Sequence, residues 1–68
     1  MDKKIYVEGL EEDKEAAINS AVGAVAGVSA CKAAAMKAQV LVTFDESVGG
    51  IEDAINAAIS SLGVKVLN

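Results

Sequence analysis

The residues able to do chemistry in this sequence are concentrated in Val-Glu-Gly-Leu-Glu-Glu-Asp-Lys-Glu, residues 7–15. Glu12 and Glu15 are three apart, a spacing that lets two side chains on a helix face the same way. Glu8, Glu11 and Asp13 stand close by. Together they are candidate oxygen ligands for a hard divalent ion such as Ca²⁺, Mn²⁺ or Zn²⁺, with Glu12 and Glu15 as the metal-ligating pair. A site of that kind uses about six oxygens in defined geometry. Cu(I) is not expected to bind two carboxylates, because a soft ion prefers thiolates. The cluster also has a purely structural role open to it, since each carboxylate in a helix's first turn contributes about 0.3–1 kcal/mol through the helix dipole.

Other reactive residue types are scarce, and their scarcity excludes whole classes of function. The chain has no histidine and no arginine. Acid–base work at neutral pH would fall to a carboxylate or lysine with a large pKa shift, so an enzyme is not expected. Cys31 is the single cysteine, which rules out an intramolecular disulfide. Its parity with Ala33 and Ala35 places it on the inward face of a strand, where a free cysteine behaves as a small hydrophobe. Only Lys32 beside it could lower its pKa. Gly49-Gly50 lacks the spacing of a phosphate-binding motif and reads as a flexible loop.

Net charge is −4 and every basic residue is a lysine, a poor surface for nucleic acid. Tyr6 and Phe44 are the only aromatics, too few for base stacking. No apolar run approaches the roughly 20 residues that span a bilayer, and Met-Asp-Lys-Lys leads into strand-like sequence without the apolar stretch of a signal peptide. A cytoplasmic monomer that does not insert into membranes is expected.

The elements that must position residues 7–15 can be read from periodicity. At 68 residues the chain is expected to form one domain, 1–68, with one small core. Lys3 to Glu8 alternate, with Ile5 and Val7 on one side, as a half-buried strand does. Gly9 permits a turn. Ile18, Ala21, Val22 and Val25 then follow at helical spacing, predicting a first helix from about Glu12 to about Ala24 that ends near Gly23 or Gly27.

Residues 28–36 are ambiguous: Ala33, Ala34 and Ala35 favour a helix, while the alternation of Cys31, Ala33 and Ala35 allows a strand. A strand is predicted, because both helices need a sheet to cover. Gln39 to Phe44 is a strand with Val40, Val42 and Phe44 inward, paired to the preceding one through a hairpin at 36–38. Ile51, Ala54, Ile55, Ala58, Ile59 and Leu62 form the cleanest helical stripe, with Glu52 and Asp53 in its first turn. Gly63 closes it and Val64 to Val66 is a last short strand. The order is that of the ferredoxin-like βαββαβ fold, an α+β sandwich with a four-stranded antiparallel sheet and two helices on one face. Tyr6, Leu41 and Lys65 are expected on the open face.

Several of these segments resemble the heavy-metal-associated domain of copper chaperones, of copper-transporting P-type ATPases and of mercuric reductase. They are Tyr6-Val7-Glu8-Gly9-Leu10, Gly27-Val28, Val40-Leu41-Val42-Thr43-Phe44-Asp45, and Ile55 through Leu62-Gly63-Val64. In that family Gly9-Leu10 would read Gly-Met and would be followed by Cys-x-x-Cys, with the thiolates at the positions of Glu12 and Glu15. Bacterial members often carry an aromatic where this chain has Val64. The resemblance implies a copper-chaperone-like metal-binding fold used in metal transport, with a metal-transport protein or related domain as partner. Loss of the cysteine pair implies soft-metal binding that is weak, altered or absent. The alternative is a protein-interaction module that retains only the fold.

Overall fold

In the computed structural model, which describes residues 1–67, the alternating N-terminal segment forms strand β1 (Asp2–Glu8), with Ile5 and Val7 buried and Lys4, Tyr6 and Glu8 exposed. A 3₁₀ turn (Glu12–Lys14) leads into helix α1 (Glu15–Gly23), which buries Ile18 and Val22. Strand β2 (Val28–Ala34) and strand β3 (Gln39–Phe44) are joined by a second 3₁₀ turn (Ala35–Lys37). Helix α2 (Ile51–Ser60) buries Ile51, Ile55 and Ile59, and strand β4 (Lys65–Val66) follows. The strands lie in the order β2-β3-β1-β4, each antiparallel to its neighbour. This is the ferredoxin-like βαββαβ sandwich expected from periodicity.

The inward side chains of the sheet are Ile5, Val7, Ala33, Val40, Val42 and Phe44, and they share one buried cluster with Ile18, Val22, Ile51, Ile55, Ile59 and Val64. Both helices therefore cover the same sheet face. Tyr6 at 48% exposure, the half-buried Leu41 and the exposed Lys65 stand on the other, as predicted. Residues 28–34 are a strand despite their alanines because they pair with β3 from Val28↔Phe44 to Ala34↔Gln39. Small side chains suit that position, where α1 lies close over the strand.

Of the boundaries that differ from the reading of the sequence, two bear on the site. Helix one begins as a 3₁₀ turn at Glu12 and becomes an α-helix only at Glu15. Strand β2 stops at Ala34 instead of reaching Met36, since Ala35–Lys37 tighten into a turn that ends with Ala38 in the left-handed region at φ 51°. The Ala38 carbonyl accepts a hydrogen bond from the Val7 amide at 2.9 Å, which ties the turn to β1. In the loop before α2, the hydroxyl and backbone N–H of Ser47 donate to Asp45. These bonds hold the Asp45 carboxyl below its usual pKa.

Gly27 is the glycine the packing most depends on. Its φ is 98°, and a Cβ there would stand 2.6 Å from Ile51 Cδ1 and 2.9 Å from Val48 Cγ2. Gly27→Ala should lower stability by about 2–4 kcal/mol, adding left-handed strain to overpacking. Ala38→Gly should act oppositely, gaining up to about 1 kcal/mol by relieving a non-glycine left-handed residue. The midpoints of urea unfolding, followed by circular dichroism, check both signs.

Candidate functional site

Gly9 and Gly63 both take positive φ, 87° and 82°, and bring the β1–α1 connection up to the α2–β4 connection. A Cβ on Gly9 would lie 3.9 Å from the Gly63 carbonyl oxygen, and one on Gly63 would lie 3.5 Å from Lys14 Nζ. The Lys14 ammonium thus sits by the C-terminal end of α2, where the carbonyls of a helix's last turn favour a cation. Sequence reasoning passed over Lys14, because its partner is a helix end 49 positions away rather than a charged side chain.

Glu12 is exposed at the start of the 3₁₀ turn, while Glu15 is half-buried. Glu15 Oε2 accepts a hydrogen bond from the Ala35 N–H at 2.7 Å. One helical turn later, Asn19 Oδ1 accepts from the Ala33 N–H at 2.8 Å. Helix α1 is therefore stitched to β2 and to the turn that follows it by two side-chain acceptors. Bonds of this kind to a carboxylate are stronger than neutral ones, and the donor would otherwise be left poorly solvated beneath the helix. Asn19 was also missed in the sequence, although its i+4 spacing from Glu15 on the same helix flank was a legible signal.

Glu12 and Glu15 line one open depression of about 420 Å³, together with Lys32, Ala33, Ala34, Met36 and Lys37. Glu8, Glu11 and Asp13 lie outside that lining. Among the described residues, no group of three or more His, Cys, Asp or Glu side chains is placed to hold a metal ion. The two carboxylates share their depression with two ammonium groups, which oppose a cation there. Met36, at 93% exposure, supplies a thioether at the rim.

Cys31 points inward, as its parity predicted, but is half-buried instead of fully buried. Strand β2 is the outer strand of the sheet, so one side of Cys31 has no neighbouring strand to cover it. Burial pushes its pKa up. A second depression, of about 310 Å³, lies at the start of α2 beside Gly49 and Gly50 and includes Glu46, Glu52 and Asp53. Its carboxylates would repel an anion from that helix start. No helix among the described residues is long and apolar enough to cross a membrane.

Glu15→Ala should cost about 1–3 kcal/mol by leaving the Ala35 amide without its acceptor. Glu15→Gln, which keeps an acceptor, should cost less, and Glu12→Ala should stay within about 0.5 kcal/mol as a surface change. Urea unfolding of the three variants checks this order. For Cys31, thiol labelling should be slower in the folded chain than in urea. Because its pKa is raised, the folded state holds the thiol proton more firmly than the unfolded chain does. That contribution to stability is intact below the ordinary cysteine pKa and is lost as pH rises through the raised value.

With this geometry in view, the chain can be set beside known proteins. No family model matches it, and neither does any curated protein sequence. Among solved structures it is similar to the CopZ metallochaperone, at 26% identity and a TM-score of 0.88, over 98% of this chain and 100% of that one. Apo-CopP from Helicobacter pylori is 26% identical with a TM-score of 0.79, again over 98% and 100% of the two chains. A copper-binding domain of a P-type ATPase is 23% identical with a TM-score of 0.82, over 98% of this chain and 93% of that one. The chain has the fold shared by this metallochaperone, CopP and the copper-binding domain.

Proposed function

We propose that this chain is a heavy-metal-associated-type domain, residues 1–68, in which Glu12 and Glu15 occupy the places of the soft-metal thiolate pair. Metal binding at that end is consequently weak, altered or absent. Any metal-related work depends on a partner from metal transport, a transporter or a related domain. The observation that carries this reading is the Glu15 carboxylate, which accepts the Ala35 N–H and so serves the fold at a position where the resembled family has a ligand. Support for the relationship comes from the CopZ and CopP folds, which extend over nearly the whole of this chain.

Soft cargo such as Cu(I) needs thiolate or thioether donors. Cys31 is half-buried on β2, packs against the core and does not line the depression that Glu12 and Glu15 share. A divalent ion held by Glu12 and Glu15 would share the Glu15 carboxylate with the Ala35 N–H and settle beside Lys32 and Lys37. Carboxylates alone would hold it loosely. We assign no catalysis to the chain. A second reading, an interaction module without metal, is favoured by the absence, among the described residues, of three or more His, Cys, Asp or Glu side chains placed to hold an ion.

The test is Glu12→Cys with Glu15→Cys, compared with the unmodified chain in competition with a Cu(I) chelator under reducing conditions. Two sulfurs on the loop and the first helical turn should converge, and the helix N-terminus should favour their thiolates. The double variant should therefore compete for Cu(I), and the unmodified chain should not. Equal weak binding by both would remove the family's loop geometry from this reading. Strong binding by the unmodified chain would reveal a functional site that includes Cys31, Met36 or the carboxylates.

A further inference from the structure

The sheet face turned away from the helices has a charge balance unlike that of the chain as a whole. Strand alternation gives it Asp2, Lys4, Glu8, Lys32 and Lys65, all exposed. Three of the chain's six lysines are therefore here, with two of its ten acidic side chains. The other eight acidic residues fall within 11–15 and 45–53, around the starts of the two helices. In a chain of net charge −4, this face carries a positive excess.

Both acidic residues on the face have a neighbour there. The Thr43 hydroxyl donates to Asp2 Oδ1 at 2.7 Å, and Glu8 stands opposite Lys65 across the β1–β4 pairing. Lys4 and Lys32 both pair with Leu41, one from each side, so they form a row across three strands. With strands about 4.8 Å apart, the two lysine backbones are about 10 Å apart, with the half-buried Leu41 between them. Two residues along β1 from Lys4 is Tyr6, 48% exposed, and beside it is Leu67, 55% exposed, whose N–H donates to the Tyr6 carbonyl at 2.8 Å. Leu41, Tyr6 and Leu67 thus make an apolar strip bordered by lysines, the layout of a small interface with an apolar centre and a charged rim.

We infer that this face docks an acidic segment of a partner protein, one in which an apolar side chain is set between carboxylates. Charge complementarity selects this occupant. The apolar side chain covers Leu41 and Tyr6 while its acidic neighbours reach Lys4 and Lys32. A second copy docked face to face would set lysine row against lysine row. An anionic bilayer is held in proportion to the apolar area it buries, and three side chains, one of them half-buried, offer little. The inference does not rest on the metal-related reading, since Lys4, Tyr6, Leu41 and Leu67 lie outside the depression that Glu12 and Glu15 line, and Lys32 is the one residue the two surfaces share.

The test is an NMR titration of the chain with a blocked pentapeptide, a leucine flanked by two glutamates on each side. Amide shifts should concentrate at Lys4, Tyr6, Lys32, Leu41 and Leu67, and raising salt from about 0.05 M to about 0.5 M should weaken binding several-fold. Replacing the peptide's leucine by serine should also weaken it. Lys4→Glu with Lys32→Glu should weaken it at least about tenfold. If that double variant does not fold, Lys32→Glu alone is read in the same way, with a loss of at least about threefold. Equal binding by the charge-reversed variant would overturn the inference. So would shifts confined to Glu15, Met36 and Lys37, the absence of localised shifts, or binding to phosphatidylserine vesicles in place of the peptide. Self-association of the peptide-free chain through the same five amides would overturn it too.

Discussion

Ile18 and Val22 of α1 and Ile51, Ile55 and Ile59 of α2 bury the face of the sheet formed by Ile5, Val7, Ala33, Val40, Val42 and Phe44. In a chain of 68 residues this core supplies most of what opposes conformational entropy, so each element has to deliver its apolar stripe to one plane. The positive-φ glycines follow from that demand. Gly27 lets the chain pass beneath Val48 and Ile51 on its way into β2, and Gly63 turns it from α2 into β4. The one outer strand of any length, β2, contributes a single buried side chain, Ala33. Hydrogen bonds to α1 from the Ala33 amide and from Ala35, in the turn that follows, add to that thin apolar contact.

Much of this arrangement was legible before any coordinates. The stripe from Ile51 to Ile59 and the alternation from Gln39 to Phe44 are strong periodic signals, and α2 and β3 lie where those signals place them. Residues 28–36 were harder because alanine propensity and strand alternation point different ways, and pairing with β3 decides between them. The strand's end at Ala34 was not legible. It depends on Ala38 entering the left-handed region, which a non-glycine residue does not advertise.

The candidate site was legible in composition but not in role. Glu12 and Glu15 could be singled out as a carboxylate pair, yet nothing local to residues 12–15 says that the acceptor at Glu15 meets a backbone donor 20 positions later. That contact depends on how α1 lies across β2, a tertiary fact. Once it is known, the acidic pair divides into two different residues. Glu12 is a solvated carboxylate near a helix start, and Glu15 is a structural acceptor that shares its work with Asn19. In a fold matched by metallochaperones, Glu15 serves here as an acceptor that ties α1 to the end of an edge strand.

That claim is most directly tested by the NMR resonance and hydrogen-exchange rate of the Ala35 amide proton in the unmodified chain, in Glu15→Ala and in Glu12→Ala. If Glu15 accepts this amide, the Ala35 proton should resonate downfield and exchange slowly, and in Glu15→Ala it should move upfield and exchange faster. Glu12→Ala should leave it unmoved. An Ala35 amide that ignores Glu15 and exchanges with solvent as fast as an open loop would contradict the account. The Glu15 carboxylate would then be free, and the acidic pair would again be available as a ligand set.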